Sequence, residues 1–190
     1  MTSDLLILDS LRRRVRAVHS LYEEAVATMD AAAVNHVERE PALPIAFSLF
    51  HAVQLEDTSA TLLGAGPMVY DEPWGERMGL AIADHGKHRT PEEMVHQRIG
   101  DFGAFQQYMA LVFARTEEWL AALEPAGLAE VVVAHPYPPQ IASTFSARVG
   151  GERGITRLDA VECWIYQHDL RHMGEIEHAR AFVGLRGITS

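Results

Sequence analysis

Apolar residues recur at intervals of three and four along most of this chain, the spacing that an amphipathic α-helix presents on one face. The first such segment covers roughly 4–29, and its apolar stripe consists of Leu8, Leu11, Val15, Val18, Tyr22, Ala25 and Met29. A length of 190 residues, with 48% of them hydrophobic, is enough to bury an ordinary core. The sequence therefore predicts an all-α protein, with a single domain over 1–190.

Three further helices follow, and capping or breaking residues indicate their ends. The second helix begins near Pro41 or Pro44 and runs to about Leu63, where the breaker Gly64-Ala65-Gly66-Pro67 stops it. The third follows the capping sequence Thr90-Pro91-Glu92-Glu93, and glycines at 100 and 103 can divide it into a short and a long piece. The last covers roughly 156–184.

Two irregular stretches separate these helices. The connection 65–89 shows no helical period, and the insertion 124–153 contains two candidate extended pieces, Val131–Val133 and Ser143–Ser146. Long loops in compact domains are uncommon and often functional. The predicted architecture is a four-helix bundle with a long connection between helices 2 and 3 and an irregular insertion before the last helix.

Charge and cysteine content exclude several classes of protein. The formal charge is −10, from 16 Lys and Arg against 26 Asp and Glu, which argues against a nucleic-acid binder. Cys163 is the single cysteine and cannot form an intramolecular disulfide, so we expect it to be a small buried hydrophobe. Because no apolar run approaches the length of a membrane span and no signal peptide is evident, we expect a cytoplasmic protein without membrane contact.

Three of the ten histidines fall on apolar stripes. His168 and His172 are four residues apart on the last helix, so both side chains project from one face, close enough to chelate one ion. His51 occupies the stripe of the second helix. A single core histidine is ordinarily satisfied by a backbone carbonyl, and that reading explains His51 taken alone. Three together are better explained by a divalent metal with open positions for water or substrate.

The run His168-Asp169-Leu170-Arg171-His172 also resembles the zinc-protease motif H-E-x-x-H. Two departures argue against a protease. The base position holds Asp169 instead of Glu, and the residue at the turn position is Glu175, with the glycine at 174. The helix therefore continues, and His178 lies too far around it to be a third ligand.

Other charged and histidine side chains carry weaker expectations. Glu56, Asp169 and Glu175 could orient the imidazoles, although a solvated surface acid is the favoured reading for each. Arg148, Arg153 and Arg157 form the basic cluster that we expect at the rim of a pocket. The remaining seven histidines show no convergent spacing: His19, His36, His85, His88, His96, His135 and His178. We expect His85 and His88 to lie on the surface of a loop.

The core histidine of the second helix and the run H-x-x-x-H-x-G-x-I from His168 to Ile176 resemble the DinB-like (DinB/YfiT) superfamily. The resemblance spans nearly the whole chain. It implies a four-helix bundle, often a homodimer, in which His51, His168 and His172 hold a divalent metal. In some thiol-dependent members an acid stands four residues before the next ligand; that position is Trp164 here, which favours the three-histidine set.

The resemblance also implies a range of activities. Similar proteins include metal-dependent hydrolases and transferases that use low-molecular-weight thiols such as bacillithiol and mycothiol. We therefore expect Zn or Ni, with Fe or Mn as further candidates, and a thiol S-transferase or hydrolase acting on a small molecule. The alternative is a non-catalytic metal-binding or stress-associated structural bundle. No catalytic side chain is assigned.

Overall fold

The computed structural model describes residues 3–38 and 42–188, and most of them are helical. The α-helices are α1 (Ser3–Ala27), α2 (Ala31–Val34), α3 (Ile45–Leu62), α4 (Glu72–Met78), α5 (Pro91–Met94), α6 (Phe102–Ala122), α7 (Pro139–Ala142), α8 (Phe145–Gly150), α9 (Arg157–Ala160) and α10 (Gln167–Phe182). Two short 3₁₀ helices cover Pro125–Ala129 and Gly151–Arg153. The strands β1 (Val131–Val133) and β2 (Ile155–Thr156) form an antiparallel pair. The predicted helical class is thereby confirmed.

Helix α3 occupies the centre of the fold, with α10 and α6 packed against it and α1 packed against α6. Apolar side chains from all four helices fill the core between them, among them Tyr22, Phe50, Phe105 and Met173. Because α3 has neighbours on several sides, even its polar residues, such as Glu56, are buried. The predicted start of this helix at Pro41 lies outside the described residues, and Pro44 is its N-cap.

The last helix contains a change of period that the sequence did not predict. Thr156 caps α9, and its side chain and that of Asp159 form the expected capping box. The segment Val161–Tyr166 then has the wider turn of a π-helix before α10 begins at Gln167. Such turns occur frequently at functional sites, and this one ends two residues before His168. Cys163, inside the wide turn, is buried as predicted.

The long connection after α3 contains α4, so the prediction of an entirely irregular stretch is wrong. Asp71 caps α4 by accepting a hydrogen bond from the backbone N–H of Trp74 at 2.9 Å. The connection is also attached to the core, because the buried carboxylate of Asp57 accepts hydrogen bonds from the backbone N–H groups of Val69 at 3.0 Å and Tyr70 at 2.8 Å. No local sequence spacing reveals that attachment.

The insertion before the last helix confirms one expectation and contradicts another. Val131–Val133 forms the predicted extended piece and pairs with β2. Ser143–Ser146 is not extended, since the side chain of Thr144 accepts a hydrogen bond from the N–H of Ala147 and begins α8. Threonine is favoured at helix N-caps as well as in strands. Within the described residues, no helix has the length and apolar character needed to cross a membrane.

Candidate metal centre

His51 on α3 and His168 and His172 on α10 lie side by side, as their spacing predicted. One nitrogen atom from each ring lies within 4.8 Å of the other two. The ring centroids of His168 and His172 are 4.5 Å apart, and that of His51 lies 4.7 Å from His172 and 5.2 Å from His168. We call these three residues the histidine triad. That the triad binds a metal stays a prediction.

Hydrogen bonds at Nδ1 orient two of the three rings. Nδ1 of His51 donates to the backbone carbonyl of His85. Nδ1 of His172 lies 2.7 Å from a carboxylate oxygen of Glu175, which also accepts a hydrogen bond from the Ser48 hydroxyl at 3.0 Å. A proton held at Nδ1 leaves the Nε2 lone pair free for a metal, the usual arrangement around metal-binding histidines.

Burial favours the neutral form of two triad histidines, His51 and His168. It lowers the pKa of His51 to about 4, despite the opposing hydrogen bond to His85. Burial and the nearby His172 and His51 lower the pKa of His168 to about 2. The hydrogen bond with His172 lowers the pKa of Glu175, so this carboxylate remains charged and able to accept. Imidazoles that are neutral at pH 7 are the ligand form that divalent metals require.

The donor set fits a divalent ion of the zinc or nickel class. Nε2 of His168 and Nε2 of His172 are 3.2 Å apart, and at most one proton can lie between two such nitrogens. An ion held by both nitrogens and by His51 would satisfy all three lone pairs. The cluster contains three protein ligands within the described ranges, 3–38 and 42–188, fewer than the four that close a structural zinc site.

The structure corrects the favoured reading of the acidic residues. Glu56 and Asp169 are not surface acids, since their exposed fractions are 0% and 1%. Glu175 is partly exposed, but its carboxylate contacts Nδ1 of His172 and so orients that ring, which was the less favoured expectation. His19, which showed no convergent spacing, is fully buried beside Glu56. Its position four residues after Val15 and three before Tyr22 was the available signal, because it places His19 on the apolar face of α1.

Two of the basic residues expected at the pocket rim lie away from the triad, since Arg153 lines a separate cavity beside Thr156 and Arg157 contacts the segment before β1. Arg157 pairs with Glu130 and donates to the backbone carbonyl of Gly127, which holds it against the 3₁₀ segment. Lys87 and Arg171, both exposed, bring positive charge near the triad, and each contributes to the lowered pKa of His168. Nothing in the sequence distinguished Lys87, because only the fold of the long connection brings it there.

A cavity of about 590 Å³ adjoins the group that orients His172, because Ser48 and Glu175 form part of its wall. None of the three triad histidines lines it. Its wall is largely apolar, with Ile45 from α3 and Ala179 and Phe182 from α10. Concave, mainly apolar cavities with a few polar groups are the usual sites for small molecules.

Comparison with known proteins finds a protein of similar fold but does not identify a reaction. A crystal structure of a conserved protein from Enterococcus faecalis superposes with a TM-score of 0.72, over 97% of this chain and 99% of that one. The two sequences are 18% identical, so the likeness concerns the fold alone. No family model matches the chain, and no curated protein does.

Proposed function

We propose that this chain is a DinB-like four-helix-bundle metalloprotein whose histidine triad holds a divalent ion, and that it acts as a thiol S-transferase or hydrolase. The observation that carries the proposal is the convergence of three imidazoles from two helices, those of His51, His168 and His172. When bound, the ion supplies Lewis acidity, which lowers the pKa of a water or thiol that reaches it.

The chain's own residues supply orientation and substrate binding. The His85 carbonyl and the Glu175 carboxylate fix the rings of His51 and His172. Lys87 and Arg171 place positive charge near His168, which favours an anionic group of the substrate, such as a carboxylate. The adjoining apolar cavity accommodates an uncharged portion of that molecule. A small thiol or ester with one anionic and one apolar part fits these features.

Metal analysis of the purified protein tests the first half of this proposal. We expect about one Zn²⁺ or Ni²⁺ per chain to be lost in His51→Ala and in His172→Ala. His178→Ala, which changes an exposed histidine of the same helix, is the matched control and should retain the metal. Full metal content in both triad variants would contradict the triad as the site.

A substrate screen tests the second half. The metal-loaded protein is assayed with bacillithiol, mycothiol and glutathione against an electrophile, and separately with ester and amide substrates. Turnover that requires the metal and disappears in His172→Ala supports an enzyme. Tight metal binding without any turnover would favour the non-catalytic alternative. The family resemblance also supports a homodimer, which light scattering of the eluting protein measures directly.

A further inference from the structure

A second group of potential ligands lies in the core, next to the triad but separate from it. It consists of His19 on α1, Glu56 on α3 and Asp169 on α10, with one ligand atom of each within 4.8 Å of the other two. Their exposed fractions are 0%, 0% and 1%. We call these residues the buried cluster. Three different helices contribute to it, so the packing of the core holds the ligand atoms in place.

The ring of His19 is fixed with one nitrogen directed into the cluster. Nε2 lies 3.1 Å from a carboxylate oxygen of Glu56, and Nδ1 lies 2.7 Å from Glu117 on α6. The ring also stacks on Phe113, with centroids 3.9 Å apart and planes 4° from parallel. A carboxylate at one ring nitrogen, with the other nitrogen facing further ligands, is the arrangement that orients histidines in metal sites.

Three of the four carboxyl oxygens of the cluster lack a hydrogen-bond donor; the fourth, on Glu56, faces Nε2 of His19. Among the described residues, no donor has hydrogen-bonding geometry towards Oε1 of Glu56 or either carboxyl oxygen of Asp169, although the two carboxyl groups and the Thr116 hydroxyl lie against one another. Tyr22 lies close but donates to the backbone carbonyl of Asp169, at 2.9 Å. No Lys or Arg of the described ranges pairs with either carboxyl group. Buried carboxylates are costly unless a cation or donors compensate them. His19 compensates one oxygen of Glu56, whereas the other three oxygens have no such partner.

We propose that the buried cluster is a second divalent-cation site, with His19, Glu56 and Asp169 as its ligands. Two carboxylates balance the charge of a divalent ion, and the ion occupies the space that the unpartnered oxygens face. One imidazole and two carboxylates form a mixed nitrogen and oxygen set, which suits Mn²⁺ or Fe²⁺ better than a soft cation. The site stands on these residues alone and does not depend on a metal in the triad.

The two sites are neighbours because Asp169 of the buried cluster directly follows His168 of the triad in the sequence. Oδ1 of Asp169 lies 3.5 Å from Nδ1 of His168. An ion that holds Asp169 therefore fixes the carboxylate beside a triad ring that has no other orienting group among the described residues. The buried cluster would act on the triad as a positioning element.

Manganese binding to a protein without the triad tests the proposal. The background is His51→Ala with His172→Ala, stripped with chelator, reloaded with Mn²⁺ alone and desalted. We expect about one Mn²⁺ per chain by elemental analysis and electron paramagnetic resonance. Adding Glu56→Gln should abolish it. Glu118→Gln, an exposed acid on α6, is the matched control and should retain the ion.

The outcomes separate this proposal from the proposed function. An absence of Mn²⁺ in the double variant, when the wild-type protein binds metal, would overturn the buried site and leave the triad intact. Retention after Glu56→Gln would overturn it as well. One ion in the double variant and only one in the wild type would support the buried cluster and contradict the triad.

A second variant and a stability measurement keep the test decisive if Glu56→Gln fails to fold. His19→Gln in the same background should also remove the ion, with folding checked by circular dichroism. Mn²⁺ at about 100 times its dissociation constant should raise the melting temperature of the double variant, because ligand binding to the folded state adds stability. A carboxyl pair that shares a proton instead predicts no rise with Mn²⁺, and that result would overturn the proposal.

Discussion

The backbone carbonyl of His85 accepts a hydrogen bond from Nδ1 of His51, 34 residues earlier in the chain. The bond joins the long connection to the centre of α3 and fixes the ring at the nitrogen that is not needed for a metal. It depends on the next residue, Gly86, whose φ is +75°. The ring of Phe47 lies against Gly86, only 2.6 Å from where a Cβ would stand. The backbone that orients one triad histidine therefore has no room for a side chain.

Gly86→Ala is expected to weaken metal binding at the triad. The added methyl group meets Phe47 and a left-handed φ, so the backbone must shift and carry the His85 carbonyl away from His51. Loss of such an orienting bond costs about 10- to 100-fold in metal affinity, which competition with a chromophoric chelator measures. Gly64→Ala is the control, because Gly64 has a similar strain at φ +98° but nothing within 4 Å. It should lower stability and leave the affinity unchanged; equal affinities in both variants would contradict the prediction.

Glu175→Ala should weaken metal binding in the same assay. The substitution removes the acceptor of the 2.7 Å bond from His172, and the expected loss is about 10- to 100-fold in affinity. Glu175→Gln keeps an amide oxygen in place and should lose less. Glu118→Ala, at an exposed position of α6, provides the control for losing a negative charge. An unchanged affinity in Glu175→Ala would show that the carboxylate does not orient His172.

The grouping of the triad histidines could be predicted from the sequence because it depends on residue spacing within individual helices. His168 and His172 are one helical turn apart, and His51 occupies an apolar stripe, so helical geometry alone places them on inward faces. The buried cluster was not predictable in the same way. Glu56 lies on a helix that is surrounded on several sides, and a rule that assigns acids to the surface fails there. His19 was on an apolar face, but its acidic partners are on other helices.

Several other features of the fold could not be predicted from local sequence patterns either. The wide turn at Val161–Tyr166 alters the facing of the residues before His168, yet the apolar pattern is compatible with a regular helix as well. Helix α4 was missed although Asp71 caps it, because its seven residues are too few to show a clear period. The approach of Lys87 to His168 depends on how the connection folds.

Cys163 should react slowly with thiol reagents in the native protein. Burial, together with Asp159 and Glu162, raises the pKa of its thiol from 9.0 to about 11. The thiol therefore stays protonated at pH 8, and the raised pKa reduces the reactive thiolate about 100-fold relative to an ordinary cysteine. Reaction with a disulfide reagent should be slow at pH 8 and become fast in urea. Raising the pH towards the shifted pKa should accelerate the native reaction; a fast reaction at pH 8 would contradict the burial of this side chain.

Asp57→Ala should be among the most destabilising substitutions away from the triad. The buried carboxylate lies 2.8 Å from the guanidinium of Arg115 and accepts a hydrogen bond from the hydroxyl of Tyr108 at 3.1 Å. Removing it leaves a largely buried guanidinium with backbone and hydroxyl acceptors but no opposite charge, and broken pairs of this kind cost about 3–5 kcal/mol of unfolding free energy. Asp9→Ala breaks the exposed pair with Arg13 on α1 and should cost about 0–1 kcal/mol. Urea denaturation of the wild-type protein and the two variants measures both free energies. The difference between the two ion pairs comes from burial, so equal denaturation midpoints for the two variants would contradict the prediction.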